Sequence, residues 1–346
     1  MGRYIKELFL FGCGGFMMLC IMELFLAYSE VSPQIYRIPE EGVGLTYRGN
    51  ADVLRLNEGF YIGNTNQYNY FDLSKEKKEN EIRIAFIGDS YLAGEEVFYR
   101  NHFCSLIEKE LNSAFNSREV TVINLGMKGH DLCDAYSRYK FLEPQLQPDY
   151  LILFTGYDDL NCVDAPGDPK IIYKDRALTI TPPDLSVFRA NSSSILKVLK
   201  RTRVWKMLSN CRRMVNLGKT PEIVLGKFAR LFTADKDLKP IKEEKSKKEP
   251  TIVIDSRIKQ ILNDLPEETI FVYRDIPQNE LIDLLNSVPS VKKRFLDSDL
   301  KKLKDKGIHP RYWKATKEYG HFNLHAHQVI SQSLSSELIE MIGLDN

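Results

Sequence analysis

Serine and histidine, at opposite ends of one stretch of chain, are the residues best suited to chemistry. Ser90 closes the run RIAFIGDS at residues 83–90, where a hydrophobic strand empties into a Gly-Asp-Ser turn. A short apolar strand ending in Gly and a small hydroxyl residue presents that hydroxyl at the carboxyl edge of a sheet, where α/β enzymes keep their chemistry. A serine hydroxyl is a weak nucleophile at neutral pH, so Ser90 needs a base elsewhere. Of six histidines, three fall in HFNLHAH, as His321, His325 and His327, just before the helical pattern VISQSLSSELIEMI. Ser near the start of a domain and His near its end is the order an open sheet needs if its last loop is to return beside its first.

The elements that must position these residues read as alternating strand and helix. Strands are expected at 82–87, 120–125 and 150–155, the last continuously apolar, as a strand covered on both faces should be. Between them a helix at 101–115 places Phe103, Leu106, Ile107, Leu111 and Phe115 on roughly one face, and a second helix follows Gly129. This βαβαβ rhythm argues for a parallel sheet flanked by helices. It breaks after residue 165, where Pro166, Pro169, Pro182 and Pro183 mark a loop. Residues 194–232 read as basic amphipathic helix and KDLKPIKEEKSKKEP as linker, so residues 166–250 are taken as a helical insert. Its cluster Lys200, Arg201, Arg203, Lys206, Arg212 and Arg213 suits anionic lipid headgroups or an anionic polymer, or is a solvated helix face. The core resumes near Ile252, with a strand at 269–273 and helices after it. One of those helices is SVKKRFLDSDLKKLKDKG, stopped by Gly307.

The N-terminus departs from the globular average. Residues 8–29, LFLFGCGGFMMLCIMELFLAYS, are about long enough to span a bilayer and carry one charge, Glu23. Arg3 and Lys6 precede the stretch, while Glu30, Glu40 and Glu41 outnumber Arg37 after it. The positive-inside bias then puts the short N-terminus in the cytoplasm and the rest outside it, periplasmic or extracellular. A cleaved signal peptide, with Ala27 and Ser29 before the cut, is the other reading and would leave a secreted domain. The expected organisation is an anchor or signal peptide at 1–30, an extracytoplasmic connector at 31–80 and a domain at 81–346. The connector, rich in Tyr, Asn and Gly, suits short strands or hairpins packed as an apron. With 48 basic and 47 acidic residues the formal charge is +1, which removes nucleic acid as a partner by global field. Cys104, Cys133, Cys162 and Cys211 fit no zinc spacing and are expected as buried thiols, although an even count outside the cytoplasm permits disulfides.

Four blocks in order now carry a resemblance: GDS at 88–90, NLGMKG at 124–129, GYDD at 156–159 and HFN at 321–323. In these the chain resembles the SGNH (GDSL-type) hydrolases and acyltransferases, whose blocks are Gly-Asp-Ser, a Gly-bearing turn, Gly-x-Asn-Asp, and Asp-x-x-His followed by Asn. The segment before GDS also looks like that of membrane-anchored members. The resemblance implies a three-layer α/β/α, flavodoxin-like parallel sheet, with Ser90 as nucleophile and His321 as base. It assigns the orienting acid to Glu318, three residues before His321, where the family usually has Asp. It maps the oxyanion hole onto Ser90, Gly129 and Asp158. Asp158 stands where the family has Asn: an ionised carboxylate only accepts hydrogen bonds and repels a developing oxyanion. His325 and His327 have metal-like spacing with His321, but only Glu318 is at hand as a carboxylate partner, and no cofactor or metal is expected.

The expected function is a membrane-anchored extracytoplasmic serine esterase or acyltransferase acting on a small acyl ester, such as O-acetyl groups of an envelope or secreted glycan. The alternative is a catalytically inactive binding or assembly protein of the cell envelope that kept the fold. Asp158 and Glu318 favour the alternative; Ser90, Gly129 and His321 favour the enzyme.

Overall fold

A computed structural model of the chain describes residues 2–28, 37–55, 58–59, 61–72, 75–115, 118–165, 167–174, 177–188, 202, 204–205, 253–314 and 318–344. The chain divides into two compact units, one of residues 1–34 and 190–250 and one of residues 35–189 and 251–346.

In the first unit, α1 (Gly2–Tyr28) is a 27-residue helix whose large apolar side chains, among them Phe9, Phe11, Phe16, Met18 and Leu24, are exposed. Among the described residues, whose unbroken run of side chains in α1 is 9–25, no helix is long and apolar enough to cross a membrane. Glu23 accepts a hydrogen bond from the Val204 N–H at 2.9 Å. The six basic residues from Lys200 to Arg213 singled out above lie outside the described residues, as do Cys211 and the linker before residue 251.

The second unit opens with two antiparallel pairs, β1 (Arg37–Glu40) with β2 (Gly44–Tyr47) and β3 (Asp52–Arg55) with β4 (Tyr61–Asn64). The next elements are β5 (Ile82–Gly88), α2 (Ser90–Ala93), α3 (Phe103–Ala114), β6 (Val120–Gly126), α4 (Leu132–Leu146) and β7 (Tyr150–Thr155). A hairpin of β8 (Lys170–Lys174) and β9 (Ala177–Thr181) follows. Then come α5 (Arg257–Asp264), β10 (Thr269–Tyr273), α6 (Asn279–Asn286), β11 (Lys292–Phe295), α7 (Asp297–Asp305), the short pair β12 (Tyr312–Trp313) and β13 (Glu318–Tyr319), and α8 (Leu324–Leu344).

Five of these strands form one parallel sheet in the order β6-β5-β7-β10-β11. Every residue of β5, β6, β7 and β10 is buried, because helices cover both faces and both side-chain sets of each strand must be apolar or satisfied. Alternate residues go to opposite layers. Ile84, Phe86, Ile152, Phe154, Ile270 and Val272 pack with α3, α7 and α8. Ala85, Ile87, Leu151, Leu153, Phe271 and Tyr273 pack with α4, α5 and α6. The architecture is α/β with three layers.

The sheet order reverses direction at β5. The first core strand lies between the second and third, so its carboxyl end and that of β7 flank the crevice where open α/β sheets hold ligands. Ser90 and Asp158 follow those two ends.

Three expectations change. Residues 292–295, read as part of a helix, are the strand β11: among the described residues KKRF pairs with β10 alone and leaves both lysines exposed, so it lacks the apolar run that marks an inner strand. Residues 170–181, read as part of a helical insert, form the β8–β9 hairpin, which packs on α4 and α5 within the second unit. Cys133 and Cys162, expected as thiols, form a disulfide between the start of α4 and the loop after β7, while Cys104 is buried and free.

Candidate active site

Ser90 begins α2, a single turn at the end of β5. Asp89 caps that turn, accepting the Tyr91 N–H at 3.0 Å, and Gly94 ends it in the left-handed conformation. Asn124, first residue of the second block, fixes the turn from β6: its side-chain amide donates to the Leu92 carbonyl at 3.0 Å, while its oxygen accepts the Gly126 N–H at 2.8 Å. The chain then reaches Gly129, whose φ of +76° lies in the left-handed region that a side chain rarely adopts. Tyr47, from β2, braces this turn by accepting the Lys128 N–H at 3.3 Å and donating to Glu95 at 2.5 Å.

His321 arrives from the far end of the chain. Asn323 anchors it: the Asn323 oxygen accepts the N–H groups of His325 and Ala326, both at 3.1 Å, and its amide donates to the carbonyls of His309 and Tyr312. The Asn after the histidine is thus the cap of α8, and it sets where the imidazole points. His321 Nε2 lies 2.9 Å from Ser90 Oγ.

The other ring nitrogen faces an acid that the sequence reading did not select. His321 Nδ1 lies 3.0 Å from Glu58 Oε2, and the same oxygen accepts the His321 backbone N–H at 2.5 Å. The orienting contact expected of Glu318 is therefore made by Glu58, in the short segment between β3 and β4. Glu318 instead lies on β13, paired with Trp313. Gly320, directly before His321, has no side chain where the Glu58 carboxylate lies, and a Cβ there would collide with it. A second carboxylate, Glu96, comes within 3.2 Å of His321 Nδ1.

Burial pulls the His321 pKa down, but the Glu58 hydrogen bond and the charges of Glu96, Glu58 and Asp89 outweigh it and leave the imidazole above its ordinary value. Burial opposes ionisation of Glu58, yet its bonds to His321 prevail and hold it below the usual carboxylate range. Glu96 is pushed up to about 7, by burial first and then by Glu95 and Glu58, against the pull of His321.

Asp158 lies at the mouth of the crevice, half exposed, and its Oδ1 accepts from Arg274 Nη2 at 2.6 Å. Arg274, directly after β10, is buried and also pairs with Asp159 at 2.8 Å and Asp89 at 3.2 Å, over the Tyr91 ring. Sequence reasoning missed Arg274; its signal was a lone cation after an apolar strand among three Asp residues of the expected blocks. Burial raises the pKa of both Asp89 and Asp159 despite Arg274. The disulfide joins the helix after Gly129 to the loop after Asp158, and Asp131 Oδ2 accepts the Val163 N–H at 2.6 Å beside it.

The histidines of HFNLHAH part company. His325 is exposed, whereas His327 is buried against His102 and accepts the Phe103 N–H at 3.2 Å. The metal-like spacing of His321, His325 and His327 along the sequence therefore does not bring the three side chains to one place. Among the described residues Glu58, Glu96 and His321 bring one ligand atom each within 4.8 Å of one another, as do Asp131, Cys133 and Cys162, whose sulfurs the disulfide occupies.

Comparison with solved structures finds distant matches. A lipase/acylhydrolase from Enterococcus faecalis is 14% identical with a TM-score of 0.36, over 75% of this chain and 96% of its own. LAE5, an alpha/beta hydrolase enzyme from the metagenome of Lake Arreo, is 14% identical with a TM-score of 0.38, over 74% and 94%. A member of the lipolytic protein G-D-S-L family from Veillonella parvula is 10% identical with a TM-score of 0.31, over 73% and 95%. No family model and no curated protein matches the chain. Likeness this distant carries no activity across, so function rests on the site itself.

That site can abstract and return a proton. With Glu58 accepting from Nδ1–H, the tautomer at His321 leaves Nε2 as an acceptor aimed at the Ser90 hydroxyl, which is what general-base activation needs.

Proposed function

We propose that this chain is an SGNH-like serine ester hydrolase or acyltransferase with Ser90 as nucleophile, His321 as base and Glu58 as orienting acid. One observation carries the reading: the continuous contact from Ser90 Oγ through both ring nitrogens of His321 to Glu58. In the first step the Ser90 proton moves to Nε2 as Oγ bonds the ester carbonyl carbon. Collapse of the tetrahedral intermediate breaks the carbon–oxygen bond, and His321 returns the proton to the leaving alkoxide. A second hydroxyl then attacks the acyl-enzyme in the same way; water makes an esterase and a sugar hydroxyl an acyltransferase. Oxyanion stabilisation falls to the Ser90 and Gly129 amides, with Asp158 held by Arg274 where an Asn would donate.

We further propose that this activity lies outside the cytoplasm, on a membrane anchor. Its support is the exposed apolar surface of α1, and the Cys133–Cys162 disulfide, a bond that persists in oxidising compartments. A small acyl ester on an envelope or secreted glycan is the substrate class proposed there.

Full-length protein in detergent, treated with a fluorophosphonate and an aryl acetate, tests the enzyme. Labelling of Ser90 and ester turnover are expected, both lost in Ser90→Ala. Asp158→Asn, which turns an acceptor into a donor, should raise kcat by about tenfold. The acidic Asp158 favours one rival, a binding or assembly protein without activity. Folded protein that neither labels nor turns over would establish that rival.

A further inference from the structure

Glu96 is a buried ionisable group beside the proposed site that the triad does not use. Its Oε1 lies 3.2 Å from His321 Nδ1, the nitrogen that also faces Glu58, and its side chain is 7% exposed against 22% for Glu58. The two acids reach the ring from different parts of the chain. Glu58 comes from the segment between β3 and β4, whereas Glu96 stands six positions after Ser90, just beyond α2.

The backbone around Glu96 is tightly held. Val97 N–H donates to the Gly94 carbonyl at 3.2 Å, Glu95 accepts from the Tyr47 hydroxyl, and Gly59 lies so close to the Glu96 carbonyl that a Cβ would collide with it. The nucleophile and this acid therefore sit on one short, braced piece of chain, and the Glu58 loop closes over it.

We propose that Glu96 is a second positioning acid for His321, sharing the Nδ1 side of the ring with Glu58. The proposal rests on the reading of His321 as the base for Ser90. A carboxylate at this distance stabilises the imidazolium formed when Nε2 takes the Ser90 proton. Charge on Glu96 is itself opposed by its burial and by Glu95 and Glu58, and favoured by His321 and Lys128. His321 in turn faces Glu58, Glu96 and Asp89. Glu58, held ionised, keeps the ring oriented, and Glu96 gains charge as the ring does.

The test is an NMR titration of His321 in full-length protein labelled at histidine nitrogen, compared across the parent, Glu58→Gln, Glu96→Gln and the double variant. Glu96→Gln should move the His321 midpoint to lower pH, and the double variant should move it further than either single change. Glu96→Asp, which keeps the charge one methylene back, should recover part of the shift. On the aryl acetate, the acid limb of kcat/KM should move with the titration, with kcat lowered and KM unchanged. An unmoved His321 midpoint in folded Glu96→Gln, or in Glu96→Asp should Gln not be tolerated, overturns the proposal. Absent ester turnover in the parent defeats the enzyme reading instead and leaves the titration to decide the role of Glu96.

Discussion

Glu58 hydrogen-bonds His321 Nδ1 at 3.0 Å across 263 positions of sequence, while also accepting the backbone N–H of the same histidine. The backbone bond seats the Glu58 carboxylate against the main chain of His321, and the ring bond then holds Nδ1 toward that seat.

The first prediction separates the two candidate acids. Glu58→Gln should lower kcat/KM on an aryl acetate by about 10²-fold, less than the ~10⁴-fold known for losing a sole orienting acid, because Glu96 remains near Nδ1. Glu318→Gln should leave the rate within about twofold of the parent. A larger loss at Glu318 than at Glu58 would reverse the assignment.

Activity should fall on the acid side at a midpoint above the ordinary histidine value. His321 must be neutral to accept the Ser90 proton, and its pKa is raised in the folded protein, so protonation removes the base as pH falls through that raised value. A pH profile of kcat/KM reads it directly. A limb below pH 6.5, the unperturbed value, would contradict the site's electrostatics.

The Cys133–Cys162 bond closes a loop with a sequence separation of 29, so replacing both cysteines with serine should cost about 3 to 4 kcal/mol of stability. Urea denaturation compares the two proteins. Because the bond ties the helix after Gly129 to the loop after Asp158, ester turnover should fall well before global unfolding.

Arg274→Met should be severely destabilising, by about 3 to 5 kcal/mol, because it leaves the buried Asp89 and Asp159 carboxyls without the guanidinium that pairs with them. Thermal unfolding checks the loss, and adding Asp159→Asn should recover part of it. Equal stability of Arg274→Met and the parent would show that these aspartates are held neutral already.

Much of the frame was legible from local pattern. Strands at 150–155 and 269–273 match the observed limits, because an inner parallel strand is covered on both faces and so reads as a short, nearly continuous apolar run. The pattern failed at KKRF, residues 292–295, since a strand that pairs with β10 alone among the described residues carries the charges of a helix surface. It failed again at the cysteines, whose pairing depends on which loops meet.

By itself the sequence determined the α/β alternation, the placement of Ser90 at a strand end and the candidacy of His321, since these follow from hydrophobic periodicity and the few residue types able to act as nucleophile and base. Only the tertiary structure decided which acids face the imidazole. Glu58 and Arg274 are brought to the site by chain closure, and Glu96, six positions after Ser90, meets the ring only because His321 returns from the other end of the domain; a contact made over 263 positions leaves no periodicity to read. Glu318 was near in sequence, but nearness along the chain does not choose the acid that a folded loop brings to the ring, and Glu58 holds that contact.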